Sequence, residues 1–247
     1  MRITWALFKV ELIKLIKTPI IIIFGIAAPI FFMIIQSSMF TSDVTFMDQQ
    51  VAMLDISLPM CSLMSIAVLG IGNVGVGLAH TRTVFFLKRL RATPVKKMHY
   101  IMANFMVQLL VLILTIAILC VIAVTKFGVD LTTHHMVKFI GVLVLSFLMC
   151  YFIGMFIGSV CEDPKTSQSV SMFVYFVCIF LGGFTFPIEF MPSGLQKVAY
   201  MIPTTHAVKM VQRVWNGLSI YDVHHTYVVL GFAVVFMLLT VKFFKYE

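Results

Sequence analysis

Charged residues divide this chain into six long intervals without Asp, Glu, Lys or Arg. The intervals are residues 18–42, 56–81, 98–125, 139–161, 166–188 and 223–241. A helix needs about 20 apolar residues to cross the hydrocarbon core of a bilayer, and each interval reaches or approaches that length. Lipid offers backbone groups no hydrogen-bond partner, so a spanning segment is a helix or part of a closed barrel. The apolar runs do not alternate with polar residues as barrel strands do, which favours helices.

The composition agrees with a membrane location. Of the 247 residues, 61% are hydrophobic and only 11% are charged, whereas a soluble domain needs more charge to cover its surface. We therefore predict an all-α integral membrane protein in which residues 1–247 form one transmembrane domain. Its six transmembrane helices are expected at residues 19–40, 57–80, 101–125, 138–161, 166–187 and 224–242.

The distribution of Lys and Arg predicts the orientation. With the N-terminus in the cytoplasm, 13 of the 18 basic residues fall in cytoplasmic segments and five in external ones. Cytoplasmic loops carry such an excess of basic residues in membrane proteins, so both termini are expected inside. The net charge of +8 could also suit nucleic acid. Nucleic-acid binding would need base-reading side chains on a soluble fold, and the prediction is that no nucleic acid is bound.

Residues 3–17 are predicted to form an amphipathic helix that lies at the membrane interface before the first span. The break at Thr18-Pro19 separates this helix from that span, since proline starts helices well and interrupts them badly. On a helical wheel, Glu11, Lys14 and Lys17 face away from the apolar side. The apolar side is expected to contain Trp5, Phe8, Leu12, Leu15 and Ile16.

The cytoplasmic segment 81–100 mixes apolar and basic side chains, which predicts a docking element for another protein. The alternative is a basic patch that contacts anionic lipid. The candidate contact residues are Phe86, Leu87, Lys88, Arg89, Leu90, Arg91, Thr93 and Pro94. In the next cytoplasmic loop, Asp163 is expected to cap a helix that begins at Pro164. Glu162 and Asp163 are the candidates for a second contact with a partner.

Residues 188–217 are predicted to form a re-entrant helical hairpin on the outer side, before the last span. The two helical pieces are too short to cross a bilayer, and proline separates them. Such a hairpin is tolerated at membrane depth only where protein or water covers its backbone. The residues that mark its turns and ends are Pro187, Glu189, Pro192 and Pro203.

Other motifs exclude several chemistries. Gly70, Gly72 and Gly75 match the nucleotide pattern G-x-G-x-x-G, but a membrane span offers no βαβ unit, so close helix packing is the favoured interpretation. The sequence has no Gly-Lys pair, so it lacks the common phosphate-binding loop, and no cofactor is expected on this chain. Two histidine pairs, 134–135 and 224–225, leave a metal site as the weaker alternative, and no metal is predicted.

Two motifs resemble one known family. The sequence LKRLRATP at residues 87–94 resembles the signature after the second helix of ABC-2 type permeases, the membrane subunits of bacterial exporters. The sequence GGFTFPIEFMP at 182–192, followed by AYMIPTTHA at 199–207, is similar to a second motif of that family. Many members carry a Glu-rich stretch before the first motif, whereas this chain has HTRTVFF at residues 80–86.

The resemblance implies a permease subunit of an ATP-driven exporter in the bacterial plasma membrane. Its substrate would be amphipathic or lipophilic, such as a drug, an antimicrobial peptide or a lipid-like molecule. The implied partners are a cytosolic ABC ATPase, which would carry ATP and Mg²⁺ and receive segment 81–100 in a groove, and a second permease copy or paralogue. The alternatives are a membrane accessory or immunity protein that transports nothing and, more remotely, an intramembrane metalloenzyme. The chain itself is not expected to be an enzyme.

Overall fold

The computed structural model describes most of the chain. The described residues are 2–17, 19–39, 44–46, 49–51, 53–83, 95–127, 136–161, 163–184, 188, 191–215, 217 and 223–244. Its helices are α1 (Arg2–Lys17), α2 (Pro19–Met39), α3 (Met53–Ala67), a π-helical stretch (Val68–Asn73), α4 (Val74–Thr83), α5 (Lys97–Phe127), α6 (Met136–Val160), α7 (Pro164–Leu181), α8 (Ser193–Ala199), α9 (Pro203–Trp215) and α10 (Val223–Phe243).

The helical class predicted from the sequence is confirmed, with one small addition. Strands β1 (Val44–Phe46) and β2 (Gln49–Val51) form an antiparallel pair between α2 and α3 in the chain, and Val44 lies opposite Val51. A two-stranded pair of this size has little stability of its own. No strand was predicted from the sequence in this interval.

Four helical runs among the described residues are long and apolar enough to cross a membrane. They are Ser57–Thr83, Lys97–Lys126, Met136–Val160 and His224–Phe243. Each coincides with a predicted span. The other two predicted spans are helices as well, α2 and α7. The 18-residue α7 begins with the polar sequence KTSQS after its proline, which shortens its apolar part.

Glycines allow the helix that contains the π-helical stretch to pack against α6 with almost no space between the backbones. A Cβ atom on Gly158 would lie 2.6 Å from the Gly75 oxygen, and one on Gly70 would lie 2.8 Å from Cys150 Cβ. A Cβ on Gly154 would overlap the Gly70 oxygen. These contacts confirm the packing interpretation of the glycine pattern, because small residues are what let helix backbones approach closely in membranes. Gly72, in contrast, faces open space.

Helix α1 covers the residues predicted to be helical, but Glu11, which was predicted to face away from the apolar side, is buried. Leu7, Phe8, Glu11 and Leu15 are buried, whereas Trp5 is more than half exposed. The burial of Glu11 is explained by its partners, since a buried carboxylate must be hydrogen-bonded.

Two side chains provide those partners for Glu11. Lys14 Nζ lies 2.7 Å from Oε1, and Asn104 Nδ2 on α5 donates to Oε2 at 3.4 Å. The Tyr151 hydroxyl on α6 donates to the backbone oxygen of Ile101 on α5 at 2.7 Å and lies 3.3 Å from Asn104 Oδ1. A polar chain of three residues therefore joins α1, α5 and α6. A helical wheel cannot show this, because the wheel contains no neighbouring helix.

Candidate coupling site

Several helix ends meet at one end of the bundle. The side chain of Arg82, at the end of α4, reaches the end of α6. Lys97, at the start of α5, reaches the end of α10. The rings of Tyr100 and Phe244 are 6.3 Å apart at the same junction. We call this region, defined by Arg82, Lys97, Tyr100, Cys161 and Phe244, the basic end of the bundle.

Arg82 binds the C-terminus of α6. Its side chain is buried, Nη1 donates to the Cys161 oxygen at 2.9 Å, and Nη2 donates to the Gly158 oxygen at 3.1 Å. The last carbonyls of a helix have no partner within the helix and carry a partial negative charge. The planar guanidinium can bind two such oxygens at once, which a lysine cannot do in the same way. Arg82 therefore fixes the end of α4 to the end of α6.

Lys97 makes a similar contact with a different helix. Its Nζ donates to the backbone oxygen of Val241, one of the last carbonyls of α10. In the sequence, segment 84–94 is thus flanked by Arg82 and Lys97. Each of these two cations binds the C-terminus of a different helix. Sequence reasoning counted Arg82 and Lys97 only as positive charge. Their positions could have indicated this role, since each residue lies at the end of an apolar span, where it can reach the free carbonyls of a neighbouring helix.

Asp163 is placed where the sequence predicts it. Its Oδ2 accepts hydrogen bonds from the backbone nitrogen of Thr166 at 3.0 Å and from Thr166 Oγ1 at 3.3 Å. Pro164 is the first residue of α7. This is the N-cap arrangement that satisfies free N–H groups at a helix start, so the capping prediction is confirmed. The capping residue Asp163 lies two residues after Cys161. Arg82 therefore binds the end of α6, and Asp163 caps the start of the next helix, α7.

The predicted contact residues of the docking segment lie outside the described residues. They are Phe86, Leu87, Lys88, Arg89, Leu90, Arg91, Thr93 and Pro94. Glu162 also lies outside them. Their contacts, and the second contact through Asp163, stay predictions. What the structure shows is that the helices on either side of the segment are attached to other helices, through Arg82 on α4 and Lys97 on α5.

The predicted hairpin contains two short helices at the other end of the bundle. Pro192 precedes the seven-residue α8, and Pro203 begins the 13-residue α9. Residues 204–212 of α9 are buried, and α9 packs against α3, α6 and α10. The Trp215 ring lies 4.8 Å from that of Phe139 on α6. Two of the predicted hairpin residues, Pro187 and Glu189, lie outside the described residues.

The metal hypothesis joins two histidine pairs, and one of them lies outside the described residues, so the hypothesis is not tested here. His134 and His135 lie outside the described residues, while His224 and His225 instead meet His206 on α9. Within the part of the chain that the structure describes, no group of three or more His, Cys, Asp or Glu side chains could hold a metal ion.

A bundle with four apolar helices of spanning length, and with charges at the helix ends, defines a multi-pass membrane protein. The chain matches the family model of the ABC-2 type transporter over residues 2–214. It therefore belongs to the ABC-2 type transporter family and is a membrane domain of an ABC transporter, a transport subunit. A comparison with curated proteins gives no match.

Proposed function

We propose that this chain is the permease subunit of an ATP-driven exporter and that segment 84–94 receives movement from a separate cytosolic ABC ATPase. The observation that carries the proposal is that the two helices flanking this segment, α4 and α5, are each bound to the C-terminus of another helix. Arg82 binds α6 and Lys97 binds α10. A displacement of the segment would therefore act directly on α4, α5, α6 and α10.

In this proposal, the ABC ATPase provides the energy for transport. This chain has no Gly-Lys pair and so no phosphate-binding loop of the common type. ATP and Mg²⁺ would bind the ATPase, and this chain would bind no cofactor. A ligand moves a conformational equilibrium only by its differential affinity for the two states. ATP would thus drive transport by favouring one arrangement of the two ATPases, and a second permease copy or paralogue would complete the path.

Membrane topology completes the proposal. Helices α2 and α7 would be the two remaining spans, α1 would lie at the interface, and the basic end would face the bacterial cytoplasm with both termini. Support comes from the excess of Lys and Arg in segments that meet at this end. The α8–α9 hairpin would then be re-entrant from the outer side, where the buried face of α9 gives its backbone the required cover.

The proposed substrate is amphipathic or lipophilic. Between their ends, the four described spans contain no Asp, Glu, Lys or Arg, and their polar side chains are few. A strongly charged hydrophilic molecule would find no charge partner along such helices, and an unpaired charge in this environment is costly. A drug, an antimicrobial peptide or a lipid-like molecule would fit better.

Co-purification from native membranes tests the proposal. We expect the tagged full-length chain to retain a nucleotide-hydrolysing protein, and the double variant Arg89→Glu/Arg91→Glu to release it. The matched control is Lys197→Glu, an exposed change on α8 that should leave the complex intact. Absence of a bound ATPase, or equal loss in the control, would refute the proposal and favour an accessory protein that transports nothing.

A further inference from the structure

His206 on α9 and His225 on α10 touch each other at the end of the bundle opposite to the basic end. The Nδ1 atoms of the two rings lie 2.7 Å apart. The second ring nitrogen of His206, Nε2, lies 3.1 Å from the backbone oxygen of Tyr200. Because His206 is 7% exposed, these two partners rather than water satisfy its nitrogens.

The Tyr200 carbonyl decides where His206 carries its proton. A carbonyl oxygen only accepts hydrogen bonds, so Nε2 of His206 must be the N–H donor. In the neutral ring, Nδ1 of His206 is then an acceptor. It follows that Nδ1 of His225 carries the hydrogen that lies between the two rings.

The number of protons that this contact tolerates can be counted. A first added proton can bind Nε2 of His225 and leave the bond between the two Nδ1 atoms in place. A second added proton must bind Nδ1 of His206. Two N–H groups then face each other, with no acceptor between them. The two rings therefore stay together with no added proton or one, and separate with two.

We propose that His206 and His225 form a proton-binding site that releases the start of α9 from the start of α10 when it takes up its second proton. We call this pair the histidine latch. It goes beyond the exporter function, because it concerns the hairpin end of the bundle and requires no ATPase. In the proposed orientation the latch responds to acid outside the cell.

The surroundings of the latch oppose a second positive charge. The ring of His224 lies 5.7 Å from the rings of both latch residues. Burial lowers the pKa of His206, while its backbone bond to Tyr200 raises that pKa and the neighbouring His224 lowers it. Coupled groups of this kind lose or gain protons in separate steps that belong to the pair.

Other titratable groups lie on the elements packed against α9. They include Cys61 on α3, Lys138, Cys150 and Tyr151 on α6, Lys165, Tyr175 and Cys178 on α7, and Tyr227 and Lys242 on α10, together with Lys209 and Arg213 on α9 itself. Asp222, just before α10, lies outside the described residues. Histidine is the side chain whose ordinary pKa places its charge change between pH 5 and 8. Acidification over this range therefore acts on the latch itself.

Trp215 provides an internal reporter of the position of α9. It is 1% exposed and packs on Phe139 of α6. The chain has one other tryptophan, Trp5 on α1. The substitution Trp5→Phe therefore leaves Trp215 as the single tryptophan fluorophore, on the helix that the latch would release.

The test is a fluorescence titration of full-length Trp5→Phe protein in lipid nanodiscs from pH 8 to pH 5. We expect the emission of Trp215 to move to longer wavelength at the second protonation, as α9 loosens. Adding His206→Gln should abolish the change, because the amide can still donate to Tyr200 but takes up no proton in this range. His80→Gln, at an exposed position on α4, is the matched control and should keep it.

Two results would overturn the latch: a Trp215 spectrum that stays constant down to pH 5, or an equal change in the His206→Gln protein. Nuclear magnetic resonance of histidine-labelled wild-type protein decides the question without any variant, in case a variant fails to fold. Two separated steps for His206 and His225 support the latch, and independent single steps contradict it. Neither measurement involves ATP or a partner, so a failed latch leaves the exporter proposal standing.

Discussion

The guanidinium of Arg82 donates to the backbone oxygen of Cys161 at 2.9 Å, a contact between residues 79 positions apart in the chain. Together with the bond to Gly158, it joins the last turn before segment 84–94 to the turn between α6 and α7. The two cytoplasmic loops predicted from the sequence are thus connected through one buried side chain. In the proposed mechanism, a displacement of the first loop would reach the second through this contact.

Arg82→Gln should therefore lower the stability of the bundle. Hydrogen bonds from a charged donor contribute roughly 1.5–3 kcal/mol each, and the α6 carbonyls would lose this partner. We expect a loss of about 2–3 kcal/mol, measured by thermal unfolding in detergent. Arg82→Lys should recover part of it, since the charge stays but the two-pronged contact does not. A loss no larger than that of His80→Gln, an exposed change on the same helix, would contradict this role.

Gly154→Ala should be among the most damaging single changes in the bundle. The added methyl group would overlap the Gly70 oxygen and approach the Ile71 backbone at 3.2 Å, and backbone atoms cannot move aside as a flexible side chain can. Overpacking of this kind costs about 1–3 kcal/mol or more.

Gly141→Ala on the same helix is the control for this prediction, because a Cβ atom there meets nothing within 4 Å. It should be neutral or slightly stabilising, since alanine is the better helix former. Equal unfolding temperatures for the two variants would show that the glycine contact does not hold α6 against the π-helical stretch.

Stability should fall on acidification, and His206 should account for part of the fall. Burial lowers the pKa of His206 below its ordinary value of about 6.5. Above pH 6.5 the residue is neutral in both the folded and the unfolded chain, so its contribution is fully present. As the pH falls from 6.5 through the lowered pKa, the unfolded chain binds the proton more readily and the contribution is lost.

Unfolding temperatures at pH 7.5 and pH 5 measure this effect. The drop between the two should be smaller in His206→Gln than in the wild type or in His80→Gln. A drop of the same size in all three proteins would assign the acid sensitivity to other groups.

The orientation can be tested by thiol labelling in intact cells. The variants are Lys197→Cys and Lys96→Cys, each made separately in the protein with its native cysteines. Both positions are exposed at the protein surface. In the proposed topology, a membrane-impermeant maleimide labels position 197 directly and position 96 only after permeabilisation. The parent protein with its native cysteines gives the background. The reversed pattern would place the basic end outside and overturn the coupling proposal.

Features that depend on one segment alone were predictable from the sequence. The span positions follow from uncharged length, and the cap at Asp163 follows from the order of a capping residue and a proline. The role of Arg82 and the burial of Glu11 were not predictable in this way. Each depends on partners far away in sequence, Cys161 for the arginine and Asn104 for the glutamate. The latch is a similar case, because only the fold brings residues 206 and 225 together.

In the proposed topology, the contact between Glu11 and Asn104 would also help to set the depth of the protein in its bilayer. The contact holds α1 in one rotation about its own axis. In this rotation the exposed side chains Trp5, Ile13 and Ile16 point away from the bundle. Such side chains settle at the boundary between headgroups and acyl chains. A helix that lies at the interface would thereby fix the depth of the helices that cross the membrane.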